Sequence, residues 1–199
     1  MAQVLLTDIG GVFYRGWPTD DFWPRWSART GLDRPELEAW LSTGGEADLA
    51  RLGRISAADY YRRAAERWGT TSETFRAMLE EAYMSDFNVR FAGFVRDLTG
   101  RGVTVWALTN SLAPEAEWMS RPGFEGMFRG VISSCDLGVA KPDPEIFRLA
   151  LDRVGAHAGE IVYVDDIAKY AEAARETGMR AIHFQTTEQA MDDITAFFD

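Results

Sequence analysis

Cysteine and histidine are scarce in this chain. Cys135 is the single cysteine among 199 residues, so no internal disulfide can form, which fits a reducing compartment. No base lies near it in sequence, and it reads as an inert buried residue. The two histidines, His157 and His183, show no partner in the sequence and read as structural. Positive charge is also in deficit, since 21 Lys and Arg face 31 Asp and Glu for a formal net charge of −10. That balance excludes general nucleic-acid binding, because phosphate contacts need a basic face. No apolar run is long enough to span a bilayer. The start, Met1-Ala2-Gln3, has no basic segment leading into an apolar one. A cytoplasmic protein bound to neither nucleic acid nor membrane is the expectation, and its oligomeric state is not legible. Internal repeats and low-complexity linkers are lacking too.

The first informative stretch is Val4-Leu5-Leu6-Thr7-Asp8-Ile9-Gly10-Gly11. Its apolar run reads as a buried strand. The run stops at Asp8, and Gly10-Gly11 predict a tight turn with positive φ and close backbone approach to a ligand. Between Arg15 and about Met84 little is strand-like, and five of the seven tryptophans lie there. Asp33-Arg34-Pro35-Glu36 reads as a helix start. Ser56-Ala57-Ala58-Asp59 opens a second helix with Asp59 in place of the usual glutamate, and Gly69 ends it. Ser72 starts a third. Aromatic stripes on these helices read as core, while Trp17, Trp23 and Trp40 are open to either the helical unit's own core or a cleft.

From Phe87 onward the pattern alternates. An amphipathic helix ends at Gly100-Arg101-Gly102, and strands follow at 103–108, 131–134, 161–164 and 181–184, separated by helical segments. Strands alternating with helices imply parallel βαβ units. The predicted fold is α/β: a Rossmann-like parallel sheet flanked by helices (residues 1–14 and 86–199), with a small all-helical cap (15–85) inserted after the first strand.

Polar groups cluster at the strand ends: Asp8, Thr109-Asn110, the stretch with Lys141 after the third strand, and Asp165-Asp166. In a parallel sheet these ends share one edge. Their kinds suit phosphoryl transfer, since an aspartate serves as nucleophile and magnesium takes hard oxygen ligands. A lysine and a hydroxyl bind the remaining phosphate charge. The bland alternatives are a surface lysine and a helix-capping aspartate pair.

Taken in order, these stretches resemble the haloacid dehalogenase superfamily, especially its phosphatases with a helical cap. Thr7-Asp8-Ile9-Gly10-Gly11-Val12 resembles the first motif, Leu108-Thr109-Asn110 the second, Val139-Ala140-Lys141-Pro142-Asp143-Pro144 the third and Val164-Asp165-Asp166 the fourth. Gly53-Arg54-Ile55-Ser56 is similar to the family's cap. The resemblance implies that Asp8 is the nucleophile and a Mg2+ ligand. It implies that Thr109, Asn110, Lys141 and Gly11 bind phosphate, and that Asp166, Asp165 and the Gly10 carbonyl complete the metal site. Arg15 is a candidate substrate contact. A small phosphorylated metabolite, of the sugar-phosphate or nucleotide class, is the expected partner.

Two positions depart from the pattern. Most phosphatases of the family carry a second aspartate where this chain has Gly10, and often Asn or Asp where it has Tyr170. Two rival readings follow: a 2-haloacid dehalogenase, which also lacks the second aspartate, and a binding protein that has lost its acid/base. The Asp165-Asp166 pair argues against the first, and retention of Asp8, Lys141 and both late aspartates argues against the second.

Overall fold

The computed structural model describes residues 4–41 and 45–198. Five parallel strands among them form one sheet in the order β3-β2-β1-β4-β5. They are β1 (Val4–Thr7), β2 (Thr104–Thr109), β3 (Gly130–Ser133), β4 (Ile161–Asp165) and β5 (Arg180–His183). Between β1 and β2 run α1 (Phe22–Thr30), α2 (Arg34–Leu41), α3 (Gly45–Arg51), α4 (Ala57–Trp68), α5 (Ser72–Tyr83) and α6 (Val89–Gly100). The remaining helices are α7 (Glu115–Met119), α8 (Ser134–Leu137), α9 (Pro144–Val154), α10 (Ala168–Glu176) and α11 (Thr187–Phe198).

β1 is buried at every position because both faces of the sheet are covered. Leu5, Val105, Val131 and Val162 pack under α6, α7 and α11. Leu6, Leu108, Ile132 and Tyr163 pack under α9 and α10. Leu5 and Leu6 are fully buried, each worth about 1.5–3 kcal/mol relative to exposure. This matches the predicted Rossmann-like class.

Helices α1 to α5 have a core of their own, built on Phe22, Trp26, Leu37, Tyr60 and Phe75. Local signals set their ends. Asp33 Oδ1 accepts from Glu36 N–H at 3.0 Å while Glu36 Oε2 accepts from Asp33 N–H at 2.8 Å, a reciprocal cap. Ser56 caps α4 through Asp59 N–H, and Gly69 ends it in the left-handed region at φ 65°. Two helices go beyond the sequence expectation. α1 carries Pro24 in its first turn, and α3 is only seven residues long; neither shows a clear apolar period before its neighbours are known. β3 stops one residue short of its predicted end, since Ser134 already begins α8.

The helical insert is fastened to the sheet behind β3. Ser134 Oγ donates to the Arg51 carbonyl at 2.7 Å. Gly53 lies so close to Cys135 that a Cβ there would come within 2.2 Å of its carbonyl oxygen. Cys135 itself is half-buried rather than fully buried. No helix among the described residues is long and apolar enough to cross a membrane.

Candidate active site

Three adjacent strands deliver the site. Asp8 N–H donates to Val164 O at 2.8 Å, which extends the β1–β4 ladder by one residue. Asp8 therefore leaves the sheet beside Asp165, the last residue of β4, and Thr109, the last of β2. Lys141 enters from the loop before α9, whose start is set by Asp143 as cap and Pro144 in the first turn.

An ammonium has three protons to donate, and Lys141 places all of them. Its Nζ donates to Leu108 O at 3.0 Å and to Asp165 Oδ2 at 2.7 Å, and stands 3.1 Å from Asp8 Oδ1. The side chain is wholly buried. Asp165 also accepts from the Tyr163 hydroxyl and, through Oδ1, from Ile167 N–H at 2.8 Å. It acts as the anchor of Lys141. The aromatic ring of Tyr170 lies 5.2 Å from the ammonium and that of Tyr163 5.8 Å away, within cation–π range.

The charges act strongly on one another. Burial pushes the Asp8 carboxyl up to about 7; Lys141 opposes the shift, and Asp165 and Asp166 add to it. Burial and Asp165 push Asp166 up to about 6. Burial alone would lower the Lys141 pKa, but Asp165 and Asp8 outweigh it, so the lysine is held charged.

The two glycines differ. Gly11 takes φ 68°, whereas Gly10 is not in the positive-φ region, so only one residue meets the expectation for that turn. Gly11 lies against Asp166: a Cβ would sit 2.0 Å from its Oδ2. Asn110 spends its side-chain amide on the main chain of Lys141. Nδ2 donates to Lys141 O at 2.9 Å and Oδ1 accepts from Lys141 N–H at 2.8 Å.

One cavity gathers Asp8, Gly10, Gly11, Thr109, Asn110, Lys141 and Asp166. Asp165 lies beneath it, fully buried. Arg15 is not among the lining residues. It is exposed and paired with Asp86. Trp17, Arg51, Tyr83 and Tyr170 also line it. Sequence reasoning missed Arg51 and Tyr83 because only the docking of the insert brings them here. His183 does have a partner, with Nε2 3.0 Å from the carbonyl oxygen of Asp166. His157 begins the turn at 158–160, where its N–H donates to Glu160.

Asp8, Asp165 and Asp166 each offer a carboxylate oxygen, and these oxygens lie within 4.8 Å of one another. All are hard donors, and a single lysine does not offset three carboxylates. The set fits a small divalent cation such as magnesium.

A family model described as haloacid dehalogenase-like hydrolase matches residues 6–178. The chain is 28% identical to sesquiterpene phosphatase astK of Aspergillus oryzae over 183 residues, covering 91% of this chain and 89% of that protein. It is 29% identical to a phosphoserine phosphatase of Thermus thermophilus over 168 residues, covering 81% and 67% respectively. In fold it is similar to a HAD family enzyme from Bacteroides thetaiotaomicron crystallised with magnesium and inorganic phosphate. That likeness has a TM-score of 0.77 at 20% identity, over 92% of this chain and 93% of the other.

Proposed function

The chain belongs to the haloacid dehalogenase-like hydrolase family, and from that premise we propose that it is a magnesium-dependent phosphatase working through an aspartyl-phosphate on Asp8. The observation that carries this reading is the buried Asp8 carboxylate, 3.1 Å from Lys141 Nζ, in a cavity shared with Asp166 and Thr109. Phosphatases among its relatives support the same reading.

Asp8 attacks phosphorus through a carboxylate oxygen, and the bond from phosphorus to the ester oxygen breaks. Water then attacks the same phosphorus, the bond to Asp8 breaks, and inorganic phosphate leaves. The departing alkoxide takes its proton from solvent water, and the water that later attacks phosphorus gives one back, so one water is consumed overall. Lys141 stays charged throughout, since its partners fix it, and it neutralises the oxygens gathered around phosphorus. The Thr109 hydroxyl and the main-chain N–H groups of the Asn110 and Gly11 loops are the further donors. Asp8, Asp166 and the Gly10 carbonyl would hold magnesium, with Asp165 beside them. The cation would offset the negative charge shared by nucleophile and phosphate.

In this reading α1 to α5 form a cap over the leaving group, and the enzyme works in the cytoplasm on a small phosphomonoester. Asp165 and Asp166 favour a cation-assisted reaction over 2-haloacid hydrolysis. The test is phosphate release from a panel of phosphomonoesters, with magnesium and with excess chelator. Release that requires magnesium is expected. No release from any ester in the presence of magnesium overturns the reading.

A further inference from the structure

A second cavity, of about 160 Å³, opens beside the one that holds Asp8. The two share Gly10, Arg51, Tyr83, Thr109 and Asn110. A phosphoryl group at Asp8 therefore has its ester oxygen next to the mouth of this chamber. Beyond the mouth the walls are Trp40, Tyr60, Tyr61 and Leu79 of the insert and Ala113 and Trp118 of the core. Neither part forms the chamber alone.

Several of the polar side chains around it are already bonded within the protein. Ser111 Oγ accepts from Ala113 N–H at 2.9 Å and from Trp118 Nε1 at 3.0 Å. Glu117 pairs with Arg121 at 3.1 Å, Glu80 with Arg76 at 3.1 Å and Arg51 with Asp48 at 3.2 Å. The Tyr83 hydroxyl donates to the Leu41 carbonyl. Arg121 Nε is buried without a hydrogen-bond partner, which leaves one place for an acceptor on a ligand. A sugar or nucleoside would lose water from many polar groups here and gain few partners. A hydrocarbon would gain on the same walls.

Resting on the phosphatase reading, we infer that the substrate is the phosphate monoester of an apolar alcohol, its phosphate at Asp8 and its hydrocarbon body in the chamber between insert and core. The polar classes suggested by the sequence, sugar phosphates and nucleotides, suit these walls poorly.

The test is a series of linear alkyl phosphates from ethyl to decyl, with glucose 6-phosphate and a nucleoside monophosphate alongside. The expected kcat/KM rises about fourfold per methylene until the chamber is full, the fold-change equivalent to about 0.8 kcal/mol per buried CH2. Ala113→Leu narrows the chamber and is expected to cut the decyl-over-ethyl ratio by about tenfold or more, equivalent to about two methylenes. Decanol binding to the wild-type protein, followed by the fluorescence of Trp40 and Trp118, reads the chamber without any turnover. A flat alkyl series, or a preference for the sugar phosphate or nucleotide, overturns the inference while leaving the phosphatase reading intact. If no ester is hydrolysed the phosphatase reading fails, and the inference about its substrate falls with it. Saturable decanol binding would then show an apolar ligand site without a phosphatase attached. Absence of decanol binding overturns the chamber assignment whatever the turnover.

Discussion

Lys141 Nζ stands 3.1 Å from Asp8 Oδ1 and 2.7 Å from Asp165 Oδ2, with no part of the lysine side chain exposed. A buried cation between two carboxylates is costly unless each partner is fixed. Here the cation is also tied to Leu108 O, and Asp165 to Ile167 N–H. The consequence is an Asp8 carboxylate whose position is set from three strands.

Asp8→Asn keeps the shape of the side chain and removes the carboxylate that the proposed mechanism uses as nucleophile. A fall in kcat on the order of 10⁴-fold or more is expected, with a circular-dichroism spectrum like that of the wild type. Near-normal turnover in this variant would rule out the covalent route.

Lys141→Met leaves Asp8, Asp165 and Asp166 without their shared cation. Removing one member of a buried ion pair costs about 3–5 kcal/mol, which urea titration would show as a lowered midpoint. Part of that loss should return at about pH 5, where Asp8 and Asp166 take up protons. An unchanged midpoint would mean that the lysine is not a structural anchor.

The acidic cluster also sets a pH dependence. Asp8 is raised to about 7 and Asp166 to about 6, against about 4 in an unfolded chain. The cation-free folded protein therefore binds more protons than the unfolded chain across this window. Their contribution to stability is present below about pH 4 and is lost as pH rises through about 6 to 7. Magnesium needs both carboxylates ionised, so its affinity should strengthen as pH rises over the same range. Thermal melts with magnesium and with chelator, from about pH 5 to about pH 8, should diverge toward the alkaline end. Parallel curves would contradict a metal site at these residues.

Gly10 and Gly11 should respond in opposite ways. A Cβ at Gly10 meets nothing within 4 Å, whereas one at Gly11 collides with Asp166 at 2.0 Å. General acid catalysis is typically worth roughly 10²–10⁴-fold. Wild-type enzyme should therefore favour aryl esters, such as p-nitrophenyl phosphate, over alkyl esters of similar size, with a burst before the steady state. Gly10→Asp should narrow that preference and shrink the burst. Gly11→Ala should lower magnesium affinity and turnover together. If Gly10→Asp changes nothing, another group already supplies the proton.

The sheet and its polar strand ends were legible because both signals are local. Val4 to Leu6 is a short apolar run, and Asp8, Thr109 and Asp165 each sit where such a run stops. The Lys141 loop was legible through its two prolines and the helix start behind them. What was hidden depends on distant packing. Tyr170 departs from the expected residue type yet brings its ring to Lys141, a contact that sequence spacing does not announce. Trp17, Trp23 and Trp40 look alike in sequence but divide in space. Trp23 is buried in the insert core, Trp17 lines the Asp8 cavity and Trp40 the apolar chamber. Arg15 is drawn to Asp86 on the surface, a partner that appears only once the insert has turned back on itself.

The central place of β1 governs the order in which the site can be built. Val4 pairs with Thr104 on one side and Ile161 on the other, so the strand made first must wait for the last third of the chain. Contacts so far apart in sequence are slow to form. Helices α4 and α5, near neighbours in the chain, can pack much earlier. During synthesis the insert has the contacts to fold while Asp8 is still attached to an unpaired apolar strand, a stage at which such strands are prone to aggregate. The surroundings of Asp8 are then completed with β4, in the same step that brings Asp165 to Lys141 and closes the sheet around β1.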